Sequence, residues 1–587
     1  MCEEWNLNDL LGDSTPQQME AQVIKLSNDF EKVREKLTNN ITPKELYEII
    51  KHNEKIKIIS SKLSSYYELD HETKTSDAKL LAEISRLNQV FTDLGNKMVF
   101  FPLWLMNLED NVANKLINSE ELKEFKYYLQ EIRKEKKYSK SEEIEKIINL
   151  KSITGGSAFG ELYGVFSSEF KFEFDGKKDL PQEEIIAKFK DKDPKVRKKA
   201  YETIYGKYGE HSTVFSEMYK NIVLDWHNED IKIRGYSSAI NVRNQSNDIP
   251  DKAVEALINV VRKNVFLFQD YFKIKHEMIS KQSGKYDFSR YHLYAPYDTG
   301  LPADYDYEKS KKIAFELYEE FDSRFAEMAK KIFNAKHVHS HPAVNKRSGA
   351  FCAGITSDVV PYVLLNHANT LNDLFTLVHE FGHGIHDILA SKHNEFYNHP
   401  ALPMAETASI FSEGLLSKKI RKESDNVKEK VAILVHTLDG YYAAITRQTY
   451  FVEFEKFAHE NIPKGVTKEE LDTKYMNLLK EQFGDMIVPE VFKHEWNYVP
   501  HIHYTPFYCY AYAWGNLSVL ALQKMYEEQG EPFKEKYIDI LAAGSSKSPA
   551  EILSIVGINP EDEKFWQKGF DVIKEEIEEL KNYAKQL

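Results

Sequence analysis

A chain of 587 residues is long enough to bury a large core and to form more than one domain. Its formal charge of −14 argues against a nucleic-acid binder, and the lack of a polybasic patch argues against a membrane-surface protein. Its three cysteines, Cys2, Cys352 and Cys509, are too few and scattered for a disulfide framework; with an N-terminus that lacks signal-peptide blocks, they predict a reducing, cytoplasmic setting.

Sparse glycine and proline beside abundant Glu, Lys, Leu and Ile predict a mainly helical protein. Residues 15–150 carry charged helical patterns, as in Met19 to Leu37 and Leu46 to Tyr67, with apolar residues every three or four positions. Met98 to Met106 is apolar but far too short to span a bilayer. The Lys-Glu run from Glu131 to Lys146 alternates in sign and reads as solvated helix faces. Thr154-Gly-Gly and then Phe170 to Gly176, aromatic and charged residues alternating into a turn signal, read as a break and a short strand pair. A domain boundary is placed there, giving an N-terminal helical domain of residues 1–176 and a catalytic domain of residues 177–587. From Pro181 to about Ile279 the pattern is helical again, with Asp193-Pro194 a helix-start turn. Tyr286 to Tyr307, with Pro296 and Pro302, is predicted to be a long loop beside the functional site.

Lys346 to Asn366 is the other non-helical region. Val359 to Leu365 has strand composition, but Pro361 cannot donate to a ladder, so an edge strand is expected. Such an edge could take an extended peptide as an added strand, through Pro361, Tyr362 and Val363, with Gly349 and Gly354 allowing close approach.

The densest chemistry follows. Leu371 to Lys392 has helical spacing of Leu374, Leu377, Val378, Phe381, Ile385, Ile388 and Leu389, and Thr370 to Asp373 forms a capping box. Within it lies Val378-His-Glu-Phe-Gly-His-Gly-Ile-His386. On a helix His379 and His383 share one face, close enough to hold one metal ion, with Glu380 between them. Gly382 and Gly384 each cost about 1 kcal/mol against Ala in a helix interior, so a close approach by backbone or substrate is expected there. A mononuclear catalytic zinc needs a third protein ligand and an open position. Pro403 to Glu413 supplies Glu406 and Glu413, seven apart on one helical face; either could ligate, leaving the other to orient a histidine. Val427 to Phe457 is helical, and His501 to Gly515 follows it. Thr505-Pro506 reads as an N-cap and first helical residue, which puts His501, His503 and Tyr504 in a loop and Tyr508 and Tyr512 on one helix face.

The His379-Glu-Phe-Gly-His383 helix followed by Met404-Ala-Glu-Thr-Ala-Ser409 resembles the zinc oligopeptidases of the thimet oligopeptidase and oligoendopeptidase F group, the oligoendopeptidase F branch in particular. The similarity extends through Lys346 to Cys352, Pro361 to Asn366 and the tyrosine-rich run 504–512; it covers the C-terminal two thirds well and the first part loosely. The resemblance implies a zincin-type fold, a small mixed sheet beside the catalytic helix and two halves enclosing a deep cleft. It implies one zinc ion per chain on His379, His383 and Glu406, with Glu413 behind them and Glu380 as the base. His503, Tyr504 and Tyr512 are implied as donors over the metal, with Tyr508 touching substrate, although Cys509 stands where relatives with a longer run have a tyrosine. The implied activity is endopeptidase cleavage of short unstructured peptides, with no obligate protein partner. The rival readings are an exopeptidase of the same chemistry and a non-catalytic helical scaffold.

Overall fold

The computed structural model describes residues 3–152, 154–300 and 305–587; Cys2 and Pro302 lie outside them, as does the side chain of Lys146. Nearly every element is helical, and the helices begin where the sequence supplies caps. Thr15, Thr42, Thr370, Thr467 and Ser548 each close a reciprocal capping box, which satisfies backbone donors that have no partner inside the helix. Asp193 caps a helix whose first residue is Pro194. The N-terminal patterns become helices Pro16–Glu31 and Pro43–Thr73. The apolar stretch near residue 100 is the eight-residue helix Phe100–Asn107, and no described helix is long and apolar enough to cross a membrane.

The chain folds into two compact units. The first comprises Met1–Glu142, Pro302–Leu416 and Gln529–Gly557; the second comprises Glu143–Leu301, Ser417–Glu528 and Ile558–Leu587. The units therefore do not part at residue 176, which lies inside the second. Each unit is assembled from segments distant in sequence, and a local composition break carries no information about such packing.

In the second unit the expected strand pair is present: β1 (Phe172–Phe174) runs antiparallel to β2 (Lys177–Leu180). Asp175 and Gly176 turn it with φ of 51° and 77°, the left-handed geometry of a tight hairpin. Deeper in this unit the buried Glu495 carboxylate accepts from Arg290 and Arg447 at 3.0 Å each and from the Tyr205 hydroxyl at 3.1 Å. Glu495 begins the short helix Glu495–Tyr498, and after Val499 a second short helix, Pro500–Tyr504, follows. Here the structure corrects the sequence reading: Pro500, not Pro506, is the first-turn proline, His501, His503 and Tyr504 are helical, and the next helix begins at Tyr510 rather than at Pro506.

The first unit holds a mixed three-stranded sheet of β3 (Val338–His339), β4 (Phe351–Ala353) and β5 (Tyr362–Leu364), in the order β3-β5-β4. β5 is parallel to β3 and antiparallel to β4, so it is the central strand and not the expected edge. Pro361 is tolerated because it precedes the first paired residue, and Tyr362, Val363 and Leu364 are fully buried. Of the two edges, β3 is covered by the N-terminal residues: Asn6 N–H donates to Lys336 C=O at 2.9 Å, Ser340 N–H to Glu3 C=O at 3.0 Å, and Trp5 packs edge-on against His339 and Tyr362. β4 is the other edge.

Candidate metal and peptide site

The site is built on helix Leu371–Ala390, with Thr370 and Asp373 forming its capping box. Leu374, Leu377, Val378, Phe381 and Ile385 are buried, and at about 2 kcal/mol for each buried apolar side chain they anchor this helix by roughly 10 kcal/mol before entropy is counted. Phe381 stacks on Phe333, and the buried Tyr318 hydroxyl donates to Val378 C=O at 2.8 Å. The opposite stripe, left free of packing, carries His379 and His383, each about one quarter exposed.

Glu406 reaches this stripe from the residue immediately before helix Thr407–Glu423. Its carbonyl accepts from Ile410 N–H, and Ser409 Oγ donates to its Oε2 at 2.8 Å. Gly382 is what lets the two helices come this close: a Cβ there would lie 2.6 Å from Ser409 Cα and 2.9 Å from both Ala408 O and Ser409 N. The close approach that the glycines implied is thus an approach of neighbouring backbone. At Gly384 the obstacle is instead the end of the Ile332 side chain.

Among the described residues, His379, His383 and Glu406 form the one group of three side chains with the donors to hold a metal ion. The two Nε2 atoms are 3.1 Å apart and stand 3.4 and 3.5 Å from Glu406 Oε2. Donors held at zinc–ligand distances of about 2.0–2.1 Å around a tetrahedral ion are about 3.3–3.4 Å from one another, so the donor set fits such an ion with one position left for a further ligand. Glu413 meets the other nitrogen of the ring, accepting from His379 Nδ1, which fixes the tautomer that turns Nε2 toward His383 and Glu406. Burial opposes charge on His379, but the Glu413 hydrogen bond and the charges of Glu413, Glu406 and Glu380 outweigh it and push its pKa up to about 10. Three carboxylates around two imidazoles thus create a strong local demand for positive charge, which a divalent cation would meet.

Glu380 is buried at 7 % exposure. Burial raises its pKa to about 7, Glu406 and Glu413 pushing it up further while His379 and the nearby Cys352 backbone pull it down. Along β4, Phe351, Cys352 and Ala353 face Leu364, Val363 and Tyr362. Of the residues expected to bind substrate, Pro361, Tyr362 and Val363 are buried under this edge and not on it. Gly349 lies just before β4 with φ of 83° and open space around its Cα, its carbonyl held by Asn366 Nδ2 at 2.7 Å.

The remaining expected residues belong to the second unit. Tyr512 sits in the first turn of helix Tyr510–Gln529; its hydroxyl is 3.3 Å from His501 Nε2 and its ring lies edge-on to Tyr508 at 5.2 Å. Tyr508 is in the turn before the helix, not within it. His503 is buried, bonded through Nδ1 to Val499 C=O and stacked on Tyr163 at 4.0 Å, so it belongs to the packing of this unit. Tyr504 is half exposed and lies over Gly160 and Gly164 of helix Gly156–Ser168. His501, which the sequence reading left without a role, is the histidine that meets Tyr512. The signal was there, since in a helix begun by Pro500 residues two apart face different sides.

The sequence model of peptidase family M3 matches residues 188–572, and a model described as oligopeptidase F matches residues 104–172. Oligopeptidase PepF of Bacillus subtilis is 27 % identical over 99 % of this chain and 88 % of its own length. The chromosomal oligoendopeptidase F of Lactococcus lactis is 27 % identical over 98 % of this chain and 96 % of its own. Among solved structures, one from Chlamydophila abortus superposes with a TM-score of 0.86 at 24 % identity, covering 99 % of this chain and 98 % of that one. The oligoendopeptidase-F of Enterococcus faecium superposes at 0.74 and 21 % identity, covering 97 % and 99 %.

Proposed function

The chain belongs to peptidase family M3, and from that premise we propose a zinc endopeptidase that cleaves internal bonds of short, unstructured peptides in the cytoplasm. The observation that carries this reading is the convergence of His379 Nε2, His383 Nε2 and Glu406 Oε2 at tetrahedral spacing, with Glu380 beside them on the same helix. A zinc ion bound there supplies Lewis acidity, lowering the pKa of a water ligand and polarising a carbonyl.

The chain's own residues supply the rest. Glu380, beside the ligands on the same helix, takes the proton from the attacking water and returns it to the departing amine. Glu413 holds the His379 ring in its ligating tautomer. Tyr512, with its hydroxyl against His501, donates to the oxyanion as charge develops; one such donor is typically worth a few kcal/mol of barrier. An extended substrate lies along β4, the edge left open while the N-terminal residues cover β3, and pairs with main chain so that side-chain identity matters little. Names of the relatives support the preference for oligopeptides.

Internally quenched peptides with free and blocked ends, assayed with and without chelator and with zinc restored, test the reading. Cleavage of the doubly blocked peptide, lost on chelation and recovered with zinc, is expected. Cleavage confined to peptides with a free terminus would make the enzyme an exopeptidase. Presenting the same sequence alone, within a stable folded domain and within a long unfolded chain tests the size preference: rapid cleavage of the short form alone is expected.

A further inference from the structure

The turn that delivers the tyrosines is held in an unfavourable conformation by two side chains from other helices, the half-buried Arg243 and the buried Glu455. Thr505 to Tyr508 form a β-turn closed by the Tyr508 N–H on Thr505 C=O at 3.1 Å. Pro506 occupies its second position, which proline favours, and Phe507 its third with φ of +58°. Positive φ at the third position marks a type II turn, a place for glycine or asparagine, and a bulky residue there is a conformational outlier. Type I would suit phenylalanine better, and the two types differ by a flip of the peptide unit between the second and third residues.

That peptide unit, Pro506–Phe507, is gripped at both ends. Arg243 Nε, from helix Ala239–Ser246, donates to Pro506 C=O at 3.0 Å. Glu455 Oε1, from helix Arg447–Asn461, accepts from Phe507 N–H at 2.8 Å. Glu455 and the Phe507 side chain are fully buried, and the His459 ring, one turn along from Glu455, packs on Phe507 at 4.6 Å. Flipping the peptide would break both bonds and turn its N–H toward a guanidinium, and the Phe507–Glu455 end is buried away from water. Beyond the turn, Asn247 Nδ2 donates to the buried Tyr510 hydroxyl at 2.8 Å, which fixes the first residue of the helix that carries Tyr512.

We propose that Arg243 and Glu455 are positioning residues of the peptidase reaction, holding the Pro506–Phe507 peptide in its type II orientation and so setting the direction of Tyr508 and the Tyr512 hydroxyl. The inference rests on the reading of Tyr512 as the oxyanion donor. Burial raises the Glu455 pKa to about 8, against the pull of the Phe507 N–H and Arg243, and a glutamine amide keeps an acceptor oxygen in the same place.

The test is steady-state kinetics of the zinc-loaded enzyme at pH 7 on a blocked quenched peptide, with Glu455→Leu, Glu455→Gln and Tyr512→Phe alone and Glu455→Leu combined with Tyr512→Phe. Glu455→Leu should lower kcat at least tenfold with KM within twofold and full zinc content, and Glu455→Gln should stay within threefold of the parent. In the Tyr512→Phe background Glu455→Leu should cost less than threefold further, because what it misdirects is already gone. Arg243→Met releases the other end of the same peptide and carries the same cycle if Glu455→Leu does not fold. Additive losses, an equal loss in Glu455→Gln, a rise in KM alone, or failure of both Glu455→Leu and Arg243→Met to fold would overturn the positioning role. If Tyr512→Phe itself leaves kcat unchanged, the donor assignment falls first, and that result is distinguishable from all of these.

Discussion

Replacing Gly382 by alanine adds one methyl group where the motif helix meets the segment that carries Glu406, and should loosen the site. The new Cβ would stand 2.6 Å from Ser409 Cα and 2.9 Å from Ala408 O and Ser409 N, whereas non-bonded carbon atoms rest at about 3.5–4.0 Å. Backbone cannot swing aside as a side chain can, so the two helices must part by roughly 1 Å. Alanine returns about 1 kcal/mol of helix propensity and overpacking costs about 1–3 kcal/mol, leaving a net loss of roughly 1 kcal/mol. The functional loss should be larger than this implies. Glu406 precedes Ser409 by three residues, and its 3.4 and 3.5 Å spacings to the histidines would move further from the roughly 3.3–3.4 Å that tetrahedral zinc requires. Zinc affinity, measured by competition with a chromogenic chelator, should fall about 10–100-fold, the range seen when a ligand's support is disturbed, while the melting temperature falls by only a few degrees. Gly384→Ala is the contrast, because its Cβ meets the mobile end of Ile332, and it should keep its zinc. Parental zinc affinity in Gly382→Ala, or zinc loss in Gly384→Ala alone, would refute the reasoning.

Glu380→Gln should keep stoichiometric zinc and lose at least a thousandfold in kcat, whereas Glu406→Ala should lose the metal itself; elemental analysis after gel filtration separates the two. Glu413→Gln should retain metal at saturation but bind it about tenfold more weakly, visible in the same chelator competition. His501→Asn should lower kcat, while His503→Asn, altering a buried ring stacked on Tyr163, should lower the melting temperature; the reverse pattern would reassign the two. Glu455 has a folded-state pKa of about 8, above its ordinary value of 4.5, so its contribution is fully present below pH 4.5 and is lost as pH rises through 8. Stability measured by urea unfolding at pH 5, 6.5 and 8 should therefore fall more steeply in the parent than in Glu455→Gln, and parallel profiles would contradict the shift.

Short-range order was legible in the chain. Helical spacing and capping boxes are properties of residues three or four apart, so the motif helix, its cap, the pairing of His379 with His383 and the Asp175-Gly176 hairpin could be read directly. What sequence could not decide was which distant segments meet. Glu406 and Glu413 share a helix face in the sequence pattern, but their different roles follow from where that helix docks at Gly382, which puts Glu406 on the two Nε2 atoms and Glu413 on the far nitrogen of His379. Pro361 suggested an edge strand because a proline cannot donate, yet it precedes the ladder, and strands from elsewhere flank β5 on both sides. Thr505-Pro506 carries a helix-start signal that is locally sound; tertiary hydrogen bonds from Arg243 and Glu455 make it a turn instead. A backbone amide is satisfied equally well by its own helix or by a side chain two hundred residues away, and that choice is made by packing, which one-dimensional periodicity does not record.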